Sequence, residues 1–239
     1  MVGAGVSHEA NGFAEIYAYG GLGEGDVVHL HDGPGNDEFV VTAKYGGIYL
    51  DDYEVHTRYF DDVYGHGEGG GFDTAKFYDG AGDDTITSGL DSVVMTGPYQ
   101  GVPYHRQAVS FDRVYAWATG GGYDVAHMND GPGRDEFLST SMEGLMFGEE
   151  GWHHRVKWFE ETHAYSDNFD SEFDKAKMYD GPNDDAFTAD PTTAVMAGTR
   201  FDGVAYSVEA HNFDAAHAYA WAAGYDTVHL TGSSGADTY

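Results

Sequence analysis

The chain has 239 residues, 41% of them hydrophobic, which is enough to bury a core unaided, and 41 acidic against 11 basic residues give it a formal net charge of −30. That charge repels phosphates and argues against nucleic-acid partners. The lack of cysteine excludes disulfides, thiolate metal sites and cysteine catalysis, and no apolar run of about 18 residues is present to span a membrane.

In chain order, Met1 is not followed by a basic and then apolar signal peptide. VSHEANGF at Val6 to Phe13 matches YSVEAHNF at Tyr206 to Phe213, so the sequence begins and ends inside a repeat. Residues 1–239 are therefore expected to be one repeat domain cut from a larger protein. FAEIYAY at Phe13 returns as FDDVYGH at Phe60, FDRVYAW at Phe111, FEETHAY at Phe159 and FDAAHAY at Phe213. A turn follows each: DGPGND from Asp32 to Asp37, DGAGDD from Asp79 to Asp84, DGPGRD from Asp130 to Asp135, DGPNDD from Asp180 to Asp185, and the degenerate TGSSGAD from Thr231 to Asp237.

A period of about 50 residues held this long means one supersecondary unit repeated about five times. Thirty-five glycines, short alternating runs and scarce helix-period stretches place the unit in the all-β class. Each repeat divides into four segments, each read as about one strand and its turn. The architecture expected is a right-handed parallel β-helix, or β-solenoid, with about two coils per repeat; a five-bladed β-propeller is the alternative.

Alternation assigns faces. Val114, Ala116 and Ala118 point in and Tyr115 and Trp117 out; Ala75 and Phe77, Ala126 and Met128, Ala176 and Met178, and Val228 and Leu230 also point in. Phe111 has the parity of the outward aromatics, so a turn at that residue must reverse it. The outward positions line up as columns: Tyr17, Tyr64, Tyr115, His163 and His217 beside Tyr19, His66, Trp117, Tyr165 and Tyr219, and separately His29, Lys76, His127, Lys177 and His229. A further column, Tyr53, Tyr104, Trp152 and Tyr206, precedes each next repeat.

The aspartates of the turns, Asp32, Asp37, Asp79, Asp84, Asp130, Asp135, Asp180 and Asp185, are the candidate metal ligands. Glycine lets the backbone turn tightly and aim carbonyls inward, and aspartate supplies the hard oxygens that calcium prefers. The same residues also serve as turn formers by accepting backbone amide hydrogen bonds, as Asp26, Asp73, Asp124, Asp174 and Asp226 do at strand starts. The turns, DGAGDDTI at Asp79 to Ile86 above all, resemble the Gly- and Asp-rich loops of the hemolysin-type (RTX) calcium-binding repeat proteins. The resemblance covers six to eight residues per repeat and implies calcium as the cofactor. RTX motifs recur at nonapeptide spacing, whereas these recur about every 50 residues.

The outward aromatics Tyr64, His66, Tyr115, Trp117, His163 and Tyr165 are candidate ligand-binding residues, a ladder of π-faces for sugar rings; cross-strand stacking is the competing reading. His153, His154 and Arg155 offer a base and cations for a β-helical polysaccharide lyase, although an acidic surface repels uronates. No nucleophile elbow or phosphate-binding loop occurs. The expectation is a non-catalytic extracellular or cell-surface spacer or adhesion module stabilised by calcium, with glycans or surface proteins as partners and end-to-end self-association. A carbohydrate-binding module is the first alternative and a lyase the second.

Overall fold

Runs in which small apolar and polar residues alternate can only form strands with one dry face, and a dry face must be covered by another. The computed structural model describes residues 12–21, 25–149, 151–167 and 172–232, and shows that the covering face is a second sheet of the same kind. The described residues contain no helix. Residues 6–11 and 233–237, which carry most of the first and last repeat fragments, lie outside them.

The first repeat sends β1 (Glu15–Tyr19) to one sheet, A, and β2 (Val27–His31) to the other, B. It then returns to A for an antiparallel meander of β3 (Glu38–Val41), β4 (Tyr45–Tyr49) and β5 (Glu54–Arg58). The second repeat follows the same order on exchanged sheets. β6 (Asp62–His66) lies in B, β7 (Thr74–Tyr78) in A, and the meander β8 (Thr85–Ser88), β9 (Ser92–Tyr99) and β10 (Val102–Val109) in B. The third restores the first arrangement, with β11 (Arg113–Trp117) in A, β12 (Val125–Asn129) in B, and β13 (Asp135–Thr140), β14 (Glu143–Gly148) and β15 (His153–Lys157) in A. In the fourth, β16 (Glu161–Tyr165) lies in B, β17 (Lys175–Tyr179) in A, and β18 (Ala186–Ala189), β19 (Thr193–Thr199) and β20 (Ala205–His211) in B. β21 (Ala215–Tyr219) in A and β22 (Thr227–Leu230) in B begin a fifth.

Among the described residues each sheet is thus a continuous array of eleven strands, and the stacked coils form a β-solenoid. Continuous sheets rule out the separate blades of a propeller. Strands of successive coils pair in parallel, as β7 does with β11 and β12 with β16, while each meander doubles back so that its last strand fills the place beside the preceding coil. Two expectations change in detail. A repeat has five strands instead of four, because the fourth segment is itself a hairpin, closed in the second repeat by Gln100 and Gly101, both at positive φ. It also crosses between sheets three times, about one and a half coils instead of two.

The core alternates small and large side chains: Ala75 with Phe77, Ala126 with Met128 and Ala176 with Met178 are all fully buried, as are Phe39, Phe137, Ile86, Met95 and Met146. Each large side chain removed from water contributes about 1.5–3 kcal/mol. The same positions open up at the last strands, where Ala216, Ala218, Val228 and Leu230 are exposed.

The parity problem at Phe111 is solved by one residue. Ser110 adopts φ 61°, and Tyr59, Trp158 and Asn212 in the same place of other repeats adopt 62°, 71° and 63°. This left-handed step turns Phe111 and Phe159 into the core, where both are buried. Such a conformation disfavours any Cβ and most of all a branched one. Ser110 is exposed, so Ser110→Val is expected to cost about 1–2 kcal/mol while Ser110→Gly costs nothing or stabilises; denaturant unfolding of the pair checks it.

Candidate metal centre

The DGxGxD turns sit where the chain leaves one sheet for the other. Within each, the last aspartate curls back on its own turn. Asp37, Asp84, Asp135 and Asp185 accept the amides of Gly33, Gly80, Gly131 and Gly181 through Oδ2 at 2.9, 2.9, 3.3 and 3.0 Å. The first aspartate reaches to the neighbouring coil: Asp79 accepts the Gly120 amide with both oxygens, at 2.8 and 2.7 Å, and Asp32 accepts that of Gly69 at 2.8 and 2.9 Å. This approach is close. A Cβ on Gly120 would lie 1.6 Å from the Gly80 carbonyl oxygen, so only glycine lets the loop pass.

A third aspartate joins each pair from the next coil. Asp73, Asp124, Asp174 and Asp226 accept, through Oδ1, the amides of Asp37, Asp84, Asp135 and Asp185 at 2.8, 2.8, 2.8 and 3.1 Å. Four triads result: Asp32, Asp37 and Asp73; Asp79, Asp84 and Asp124; Asp130, Asp135 and Asp174; Asp180, Asp185 and Asp226. In each, one carboxylate oxygen per residue lies within 4.8 Å of the others. All eight turn aspartates singled out from sequence therefore belong to a triad. The third members read as strand-start turn formers, which they also are; their constant place just before the second strand of each repeat was the available signal.

Calcium bonds of 2.3–2.6 Å place two ligands of one ion no more than about 5 Å apart, so the oxygen spacing of every triad is compatible with a shared ion. The donor set is hard oxygen throughout. In the second triad Tyr104 closes the site from above, its hydroxyl donating to Asp84 Oδ1 at 2.5 Å; Tyr206 does the same for Asp185 at 2.6 Å. Trp152, next in this column, shares with Asp135 the space over Gly148. Gly97, Gly148 and Gly198 oppose the last aspartates across the meander hairpins, and a Cβ on Gly97 would fall 1.5 Å from Asp84 Oδ1. The first triad differs: Leu50 occupies the corresponding position.

Burial is the main influence on these carboxylates. It raises Asp73, Asp79, Asp84 and Asp185 above the ordinary range and pushes Asp124 and Asp130 up to about 7, with amide bonds opposing and neighbouring carboxylates reinforcing.

The other candidate residues are distributed differently from the sequence expectation. Because copies exchange sheets from one repeat to the next, the aromatic ladder is divided: Tyr115 and Trp117 lie on sheet A, and Tyr64, His66, His163 and Tyr165 on sheet B. The six do not form one platform. Their rings also stack on neighbours along the axis, Tyr78 on Trp117 at 4.8 Å, His29 on Tyr64 at 4.7 Å and Tyr165 on His211 at 4.8 Å, all within 15° of parallel. Rings at strand spacing cover one another's faces and present edges outward, the arrangement of cross-strand stacking. The His and Lys column likewise separates, with His29, His127 and His229 on B and Lys76 and Lys177 on A, the lysines paired with Glu38 and Glu136.

Of the three residues considered for a lyase, His153 and Arg155 line a shallow surface pocket with Leu145, Phe147 and Trp152, and His154 does not reach it. His154 is buried, holds Ser88 Oγ at 2.7 Å, and is pushed down to about 4 by burial, so it is a neutral core residue. Arg155 is paired with Glu143 at 2.7 Å. Arg106 is also buried, its guanidinium bonded to the carbonyls of Thr42, Ala43, Phe60, Asp61 and His105. It caps chain corners and is unavailable to a substrate.

Fold and turns together define the chain as a β-solenoid repeat protein with one aspartate triad at each of the four turns that lie wholly among the described residues. The chain matches no protein-family profile, no curated protein and no solved structure.

Because the folded carboxylates have raised pKa values, the folded state binds more protons than the unfolded one between about pH 4 and 7, and stability from these groups is lost as pH rises through that window. Lowered histidines such as His154 act in the opposite sense below about pH 6.5, so the difference from a variant is the clean readout. In chelator, Asp124→Asn is expected to gain stability relative to the parent protein, by about 2 kcal/mol, between pH 5 and 8. Unfolding by urea at the two pH values measures it.

Proposed function

We propose that this chain is a non-catalytic spacer or adhesion segment of an extracellular or cell-surface protein, a β-solenoid made rigid by calcium at its aspartate triads. The observation that carries the reading is the recurrence of the same three-carboxylate arrangement at four successive turns, each joining two coils. Without a cation, each triad concentrates buried negative charge at the contact between coils. With one, the repulsion becomes a cross-link, and four such links in series stiffen the stack along its length. Extracellular calcium modules bind at about 10⁻⁴–10⁻³ M, weak affinities that suit sites with three aspartates each.

The reading against catalysis rests on the same geometry. Of the side chains that looked reactive in sequence, His154 is hydrogen-bonded in the interior and Arg155 is held in an ion pair with Glu143. The acidic charge that calcium would offset also disfavours polyanionic substrates.

Calorimetric titration of chelator-stripped protein is expected to show several calcium equivalents, and saturating calcium to raise Tm by about 10 °C or more, given roughly 2.7 kcal/mol per site at a hundredfold excess over Kd. Asp124→Asn, more stable than the parent in chelator at pH 8, should become less stable than it in calcium because one site is lost. A melt indifferent to both calcium and chelator would leave the aspartates as turn formers only. In a second measurement, Gly97→Ala should displace the Asp84 carboxylate and remove one calcium equivalent, whereas Gly101→Ala, at a site with open space around its Cβ, should keep them all.

A further inference from the structure

We infer that His163, Glu209 and His211 form a second kind of cation site, for a divalent transition metal of the zinc class, on the outer face of sheet B. It is independent of the calcium reading. β16 and β20 pair in parallel there, with His163 opposite Glu209 and Tyr165 opposite His211.

The three side chains converge on one point. Glu209 Oε2 lies 3.3 Å from His163 Nδ1 and 3.2 Å from His211 Nε2, and all three atoms fall within 4.8 Å of one another. Zinc bonds of 2.0–2.1 Å in tetrahedral geometry place neighbouring ligands about 3.3–3.4 Å apart, so two edges of the ligand tetrahedron already have their length. Both ring nitrogens are shielded from solvent and neither makes a well-aligned hydrogen bond, so each has Glu209 Oε2 as its nearest charged neighbour and no other committed partner.

The protonation pattern agrees. Glu161 Oε1 accepts a hydrogen bond from His163 Nε2 at 2.7 Å. A carboxylate only accepts, so Nε2 carries the proton and, in the neutral ring, Nδ1 presents its lone pair to the site. A second carboxylate behind a histidine ligand is the usual outer shell of a zinc site. Thr193 Oγ1, 3.4 Å from His211 Nδ1, occupies the corresponding place behind the other ring.

Packing holds the rings in position: His163 stacks on His127 at 5.0 Å and His211 on Tyr165 at 4.8 Å. The three ligand side chains remain 15–27% exposed, which leaves the fourth position to water. Imidazole nitrogen favours zinc-class ions over calcium, so calcium at the aspartates would not fill this site. The histidines at the other end of this sheet are different, because His29 Nδ1 and His66 Nε2 share a hydrogen bond at 3.0 Å.

The test uses the full chain saturated with calcium. Cobalt(II) is titrated and followed by visible absorption, then displaced with zinc, whose binding is measured by calorimetry. One equivalent with an intense, tetrahedral-type cobalt spectrum is expected. Glu209→Gln and His211→Phe should each weaken it at least tenfold at unchanged far-ultraviolet circular dichroism, and His29→Phe should leave it intact. Absence of a cobalt spectrum, or binding untouched by both ligand substitutions, overturns the site; calcium binding in the same sample reports separately on the aspartate triads.

Discussion

The structure depends on one hydrogen bond repeated from coil to coil: an aspartate before a strand accepts the backbone amide of the residue at the same height in the preceding coil. Asp73 does this for Asp37, Asp124 for Asp84 and Asp174 for Asp135, and the series continues as the backbone amides of Asp73, Asp124 and Asp174 donate in turn to the carboxylates of Asp112 at 2.7 Å, Glu160 at 2.9 Å and Asp214 at 2.9 Å. Where the ladders of a sheet begin, an amide would otherwise be left without a partner at a packed corner, at a cost of about 1–3 kcal/mol. A carboxylate supplies the missing acceptor and fixes the register of the next coil. The consequence is that acids accumulate along the stacking axis in poorly solvated positions. The interaction that aligns the coils also creates the charge that a cation would offset.

A second constraint is arithmetic. Three sheet crossings per repeat are an odd number, so equivalent residues of successive repeats land on opposite sheets. The two outer faces consequently differ in chemistry although the repeats are alike: Lys76 and Lys177 face out from A with Glu38 and Glu136, while histidines gather on B, where His127, His163 and His211 stand close together. Equivalent residues about 100 apart in sequence therefore return to the same sheet, and equivalent residues about 50 apart lie on opposite sheets.

The repeats, their length, the all-β class and the inward faces were legible in the sequence because each rests on local rules: alternation of Ala126 and Met128 with His127, glycine at tight turns, aspartate at strand starts. The eight turn aspartates were legible for the same reason. Asp73, Asp124, Asp174 and Asp226 were visible only as turn formers, since their membership of the triads requires a coil some 36 to 41 residues away in the chain to be in register. The hairpin inside the fourth segment carried a readable signal in Gln100 and Gly101, a two-residue turn with both residues at positive φ.

The sequence by itself determined the unit, its strands and the residues of each turn, because backbone propensity and hydrophobic period act over a few neighbours. Only the tertiary structure decided that the copies alternate between two sheets, that His154 and Arg106 are interior, and that carboxylates from two coils meet. Those outcomes depend on how meanders fold back between coils, and that number of crossings is a property of the whole stack and not of any segment in it.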